Sequence, residues 1–103
     1  MKAIILAAGV GKRMDNSIKS TPKCLIKICK KTIIEYQIEA LKDNEINDIS
    51  IVIGYYADKV RIEFKNKGLK FYLNKDYENT GMLESLFCAK KELNGDIILL
   101  YGD

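Results

Sequence analysis

Histidine is absent from the 103 residues, and that absence excludes more than any other feature of the composition. Without it there is no Ser-His nucleophile pair, no imidazole general base and little prospect of a catalytic zinc site. Whatever chemistry the chain supports runs on carboxylates, lysines, arginines, backbone amides or a hard metal ion. Cysteine is scarce: Cys24, Cys29 and Cys88 are an odd number and none lies in a CxxC pair, which points to reduced, small, buried thiols rather than a disulfide framework. No apolar run reaches membrane-spanning length and no signal peptide opens the chain, so a cytoplasmic protein with no membrane partner is expected. Charge of one sign is nearly balanced. A net charge of +3 is too small to argue for nucleic acid, though it suits a small anionic ligand.

What is present is one small domain, 48% hydrophobic and 30% charged. Residues 2–7, 48–53 and 96–101 are apolar runs of the kind that form strands buried on both faces of a parallel sheet, and residues 69–73 are a fourth candidate. Between them the pattern turns helical. Ile33, Ile34, Gln37, Ile38 and Leu41 form one stripe, and Val60 and Phe64 mark a shorter helix over residues 58–65. Leu83, Leu86, Phe87 and Leu93 mark a third, closed by Asn94 and Gly95. Alternating strands and helices predict an α/β fold: a Rossmann-like three-layer αβα arrangement around a mostly parallel sheet, ending after about four strands.

Residues 8–22 do not fit a short strand-to-helix connection. They carry Gly9 and Gly11 among Lys12, Arg13 and Lys19, directly after the first buried strand, where α/β sheets bind ligands. The loop can act as a phosphate cradle. Glycines allow close backbone approach, inward amides form an anion nest, Arg13 can fork across two phosphate oxygens, and Lys12 and Lys23 add point charges. Composition alone leaves open a solvated surface loop. Two familiar phosphate motifs are excluded. A GxGxxG fingerprint needs glycine where Met14 stands, and a Walker A loop needs Ser or Thr where Arg13 follows Lys12.

The full string Leu6-Ala7-Ala8-Gly9-Val10-Gly11-Lys12-Arg13-Met14, followed by Pro22-Lys23, resembles the signature of the nucleotidyltransferases that make nucleoside-diphosphate sugars and CDP-alcohols. Ile34-Glu35-Tyr36-Gln37, Gly54-Tyr55 and Leu100-Tyr101-Gly102-Asp103 extend the resemblance over the whole chain. Residues 79–89 look most like the branch acting on phosphocholine and related compounds, whose segment runs Asn-x-x-Met-x-x-Ser-Leu.

The resemblance implies an enzyme that transfers a nucleoside monophosphate from an NTP, with CTP favoured, to a small phosphorylated acceptor and releases pyrophosphate. A sugar-1-phosphate nucleotidyltransferase and an inactive NTP-binding fragment are the alternatives. It implies that the loop wraps the triphosphate through Gly9, Gly11 and Lys12, with Leu6, Ala8 and Gly9 near base and ribose. Arg13 would grip the departing pyrophosphate and Lys23 the phosphoryl oxygens. Asp103 would hold Mg2+, and Met82 and Ser85 would neighbour the base. No proton need be removed from an ionised phosphate acceptor, so positioning and electrostatics suffice without histidine. On the same resemblance, residues 1–103 correspond to the N-terminal nucleotide-binding part of a domain whose acceptor-binding half is absent, which leaves a sheet edge and apolar surface uncovered. Tyr55, Tyr56, Tyr72 and Tyr77 are expected to pack at strand ends rather than stack on bases. Lys30 and Lys31 are expected in a solvated turn, and Cys24 and Cys88 in the core. Nothing in the residues sets the oligomeric state.

Overall fold

The structure is a computed structural model that describes residues 1–8, 27–55, 57–77, 79 and 81–102. Four parallel strands make the sheet: β1 (Lys2–Ala7), β4 (Asp48–Ile53), β5 (Lys70–Leu73) and β6 (Ile97–Tyr101), in the order β5-β4-β1-β6. A separate antiparallel pair, β2 (Lys27–Ile28) and β3 (Lys31–Thr32), leads into the first helix. The register of β1 is Lys2 against Asp48 and Ile97, continuing to Leu6 against Val52 and Tyr101.

Inside the two central strands the residues are apolar, Ser50 excepted, because both of their faces are covered. Ala3, Ile5, Ala7, Ile49, Ile51 and Ile53 point to one side. There they meet Ile34, Ile38 and Leu41 of α1 (Ile33–Asp43) and Val60 of α2 (Ala57–Glu63), with Phe64 just beyond it. Ile4, Leu6, Ala8 and Val52 point to the other, against Leu86, Ala89 and Leu93 from the segment around α3 (Met82–Cys88). Each fully buried Ile, Val, Leu or Phe contributes about 1.5–3 kcal/mol of transfer free energy, so these two clusters dominate the folding free energy.

Local chemistry sets the helix ends. Thr32 caps α1, its Oγ1 accepting the Glu35 N–H at 3.1 Å. At the other end the Asn44 side chain donates to the Ala40 carbonyl at 2.8 Å, and Glu45 takes a left-handed φ of 63° to turn the chain. At α3 only half of a capping box exists: the Glu84 carboxylate accepts the Gly81 N–H at 3.0 Å, and glycine has no side chain to return the bond.

Four expectations are corrected. The third helix does not run to Asn94: it breaks at Ala89, and a single 3-10 turn follows at Lys90–Glu92. Nor do Leu83 and Phe87 line its buried face. They are exposed, and the buried positions of the segment are Ser85, Ala89 and Glu92. The helix breaks where Glu92 enters the protein to meet Tyr72 and Lys2 from the sheet. Third, Cys29 is exposed, in the β2–β3 turn, where it and Lys30 have positive φ. Cys88 is half-buried beside the second cluster, and Cys24 lies outside the described residues. Lys31 is in strand β3 rather than in the turn and is ion-paired to Glu39 at 2.8 Å.

β6 has no neighbour on its far side among the described residues, and Leu99 and Tyr101 on it are exposed. No helix among the described residues is long and apolar enough to cross a membrane.

Candidate functional site

In a parallel sheet all carboxyl ends lie along one edge, so Ala8, Gly54, Asn74 and Gly102, which follow β1, β4, β5 and β6, come together there. From β1 the chain steps outward through β4 to β5, then returns to the opposite side of β1 as β6. The helices before β5 cover one face and α3 covers the other. This reversal makes the carboxyl ends of β1 and β6 a topological switch point, where neighbouring connections diverge and open a crevice.

Hydrogen bonds beyond the strand ends hold the edge in shape. The Tyr55 N–H donates to the Ala8 carbonyl at 3.1 Å, the Asn74 N–H to Ile53 at 2.8 Å and the Gly102 N–H to Leu6 at 2.9 Å. From α1, the Gln37 side-chain amide donates to the Tyr101 carbonyl at 2.8 Å. Two glycines let this edge close. A Cβ on Gly54 would stand 2.8 Å from the Tyr77 Cβ and 3.0 Å from the carbonyl oxygens of both Ala8 and Asn74. On Gly102 it would meet the Ile5 side chain at 3.0 Å and Ala7 at 3.3 Å. Tyr55 and Tyr77 close the same corner edge-to-face at 6.0 Å. These two tyrosines and Tyr72 pack as expected, while Tyr56 lies outside the described residues.

A buried polar pair stands beside this corner. Asn74 is 4% exposed and Ser85 8%. The Asn74 Nδ2 donates to the Ser85 Oγ at 2.9 Å, and its Oδ1 accepts the Asp76 N–H at 3.0 Å. Asn74 was not among the residues singled out from the sequence. Next to Leu73 and Lys75 it reads as an ordinary turn residue, and only its burial and its bond to Ser85 distinguish it.

Among the other candidates, the Leu6 side chain belongs to the core on the α3 side, and its backbone carbonyl receives Gly102. Ala8 is buried at the end of β1. Met82 opens α3 and is 62% exposed. Gly9, Gly11, Lys12, Arg13, Lys23 and Asp103 lie outside the described residues. Among the described residues no group of three or more acidic or thiol side chains could hold a metal ion.

The opposite, amino-terminal edge of the sheet has a different character. Glu92, 5% exposed, accepts a hydrogen bond from the Tyr72 hydroxyl and ion-pairs with Lys2 at 3.3 Å and Lys70 at 3.5 Å. Lys70 also reaches Asp48 at 3.3 Å. The Tyr72 hydroxyl, with the two lysines, holds the Glu92 carboxyl below its ordinary range against the opposing effect of burial. The hydrogen bond to Asp48, aided by both carboxylates' charge, raises the Lys70 ammonium. Every charge in this cluster has a partner within the fold, which makes it a fastening rather than a ligand site.

Comparison with known proteins agrees with the geometry. Residues 3–103 match the MobA-like NTP transferase domain. The chain is 40% identical over 110 residues to the CTP:phosphoglutamine cytidylyltransferase of Campylobacter jejuni, covering 100% of this chain and 44% of that protein. The solved CTP:phosphocholine cytidylyltransferase of Streptococcus pneumoniae superposes with a TM-score of 0.90 at 38% identity, covering 99% of this chain and 44% of that one. The bifunctional protein GlmU of Clostridium tetani is 34% identical over 104 residues, covering 98% of this chain and 22% of its own length. The chain therefore spans less than half the length of these relatives. With its signature string, its parallel sheet and a match over nearly every residue, the chain belongs to the MobA-like NTP transferase family.

Proposed function

We propose that the protein carrying this chain transfers a nucleoside monophosphate from an NTP, CTP before the others, to a small phosphorylated acceptor such as phosphocholine, releasing pyrophosphate. The observation that carries this reading is the point of departure of the glycine-bearing segment: it leaves β1 at Ala8, at the switch point of the sheet. Gly9, Gly11 and Lys12 follow at once, and their amides and charge suit a triphosphate; Arg13 and Lys23 are the proposed grips on pyrophosphate and phosphoryl oxygens. Leu6, Ala8, Met82 and Ser85 are the proposed surroundings of base and ribose. The cytidylyl preference is supported by two cytidylyltransferases at 38–40% identity.

Asp103, next to the buried Gly102, is the proposed protein ligand of Mg2+. A single carboxylate fits an ion that takes its remaining oxygens from phosphates and water. When bound, the ion would neutralise phosphate charge. Residues 1–103 are proposed as the nucleotide-binding part of a longer domain, acting in the cytoplasm, with the acceptor bound by residues beyond them.

A second reading, a sugar-1-phosphate nucleotidyltransferase, is favoured by the 34% identity to the bifunctional protein GlmU. Pyrophosphate release by the longest form of the protein, measured for each NTP against phosphocholine and a panel of sugar 1-phosphates, separates the two. Turnover with CTP and phosphocholine, reduced at least 100-fold by Arg13→Ala or Lys23→Ala, is expected if these cations stabilise the transferring phosphoryl group (on the order of 10²–10³ per electrostatic donor). Turnover confined to a sugar 1-phosphate would select the second reading. Absence of turnover with every pair, alongside saturable NTP binding, would leave a nucleotide-binding module.

A further inference from the structure

The geometry points to Gln37 as the positioning residue of the metal carboxylate: its side-chain amide stands in for a residue of a neighbouring strand and carries the order of β6 on to Asp103. The inference rests on the nucleotidyltransferase reading and deepens it by naming what holds the proposed magnesium ligand. Among the described residues β6 has a neighbour on one side only, and at its end the Gly102 N–H donates to the Leu6 carbonyl of β1 at 2.9 Å. Backbone groups alternate along a strand, so the Tyr101 carbonyl faces the opposite, open side. There the Gln37 Nε2 donates to it at 2.8 Å. A carbonyl can only accept, which fixes the orientation of the amide and leaves Oε1 as its second bonding atom. That Oε1 is buried and has no hydrogen-bond partner among the described residues.

In a parallel ladder one residue bridges two positions of its neighbour, donating to the carbonyl of one and accepting the N–H of the residue two further on. A glutamine amide carries the same donor and acceptor on one plane. With the donor spent on Tyr101, the N–H two residues on is that of Asp103. Asp103 lies outside the described residues, and the alternation of the strand is what turns its amide toward Gln37. A buried acceptor left unmet is costly, so the open Oε1 calls for such a donor. Two further observations fit this bracing. A Cβ on Gly102 would stand 3.5 Å from the Ile34 Cγ1, so α1 lies close over the strand end, with Gln37 one turn further along. Around Gln37 the groove is lined by Leu41, Ile98 and Leu100, apolar side chains that offer the amide no competing partner. A carboxylate whose backbone is held from both sides keeps its direction, and outer partners of this kind change metal affinity by about 10–100-fold.

Gln37→Met in the longest form of the protein tests this, since it keeps the length and apolar packing of the side chain and removes both polar atoms. Mn2+ binding in the presence of CTP, read from the electron paramagnetic resonance of the free ion, gives metal affinity without turnover. Gln37→Met is expected to raise the Mn2+ dissociation constant about 10-fold, and Asp103→Asn to raise it at least as far. In wild type the Asp103 amide is expected to exchange its hydrogen about 10-fold or more slowly than in an unstructured peptide. Gln37→Met should lose that protection while the amides of β1 and β4 keep theirs, a pattern that general loosening of the fold would not give. An Asp103 amide unprotected in wild type would overturn the inference, and that measurement serves if Gln37→Met does not fold. Mn2+ affinity lowered by Asp103→Asn but unmoved by Gln37→Met would overturn it equally. Mn2+ affinity unmoved by Asp103→Asn would instead overturn the assignment of the metal ligand, and failure of wild type to bind any NTP the nucleotidyltransferase reading itself.

Discussion

The two edges of the sheet solve opposite problems with the same strands. At the amino edge Lys2, Lys70 and Tyr72 converge on Glu92, and Lys70 also ion-pairs with Asp48, so the segment after α3 is drawn onto the sheet. The carboxyl edge carries glycines, backbone carbonyls and a neutral, buried Asn-Ser pair. Fastening is concentrated at the edge away from the proposed nucleotide site. The contrast teaches that charge density alone is a poor guide to a site, since the richest ionic cluster here is structural. The edge proposed to accept the ligand is marked by close backbone approach.

The largest change expected from breaking that contrast comes from filling the carboxyl edge. Gly54→Val would force side-chain atoms against two carbonyl oxygens and Tyr77. The expected loss is about 1–3 kcal/mol in urea unfolding, together with loss of nucleotide binding. A variant as stable as wild type that still binds CTP would show that the corner is looser than described.

A smaller effect is expected at the amino edge. Glu92→Gln keeps the shape and removes the charge that Lys2 and Lys70 share. Both lysines reach water, with side chains 25% and 52% exposed, so solvent screens the pairs and the expected loss is about 1 kcal/mol. CTP affinity is expected to stay unchanged. A variant with normal stability and impaired CTP binding would invert the assignment of the two edges.

The pH dependence sharpens the same comparison. Glu92 has a folded-state value below its ordinary 4.5, so its contribution is complete above 4.5 and is lost as pH falls through the folded value. Lys70 is raised above 10.5, so its contribution is complete below 10.5 and is lost as pH rises through the folded value. Stability followed by urea unfolding should therefore decline at both extremes, and Glu92→Gln should flatten the acid limb. An acid limb that persists unchanged in Glu92→Gln would place the responsible carboxylate elsewhere. No titrating side chain belongs to the Asn74–Ser85 pair, so its hydrogen bond is not expected to follow either limb.

How far the sequence spoke follows from the same physics. β1 and β4 were legible because burial on both faces demands a nearly continuous apolar run, interrupted inside β4 only at Ser50. α1 was legible because Ile34, Ile38 and Leu41 fall on one apolar stripe, whereas its cap, Thr32, was not read from the sequence. The end of α3 was misread. Hydrophobicity pointed to Leu83 and Phe87, yet the buried positions are Ser85, Ala89 and Glu92, and the partners of the polar two are distant in sequence, on the strands or just past the end of β5. Two-residue strands such as β2 and β3 carry no readable period. The glycine-basic string of residues 9–13, proposed above as the phosphate grip, stands out by its spacing. Asn74 does not, because what distinguishes it is one bond across eleven positions of chain.

The most direct test of the account maps where the nucleotide lands. Amide chemical shifts of the longest form of the protein, followed during titration with CTP and magnesium, should saturate and move most at Ala8, Gly54, Asn74, Ser85 and Gly102. Lys2, Asp48, Lys70 and Glu92 should stay still. Saturable shifts centred on the amino edge, or saturable binding that leaves the carboxyl edge unmoved, would contradict the central claim that the crevice outside β1 and β6 is the nucleotide site.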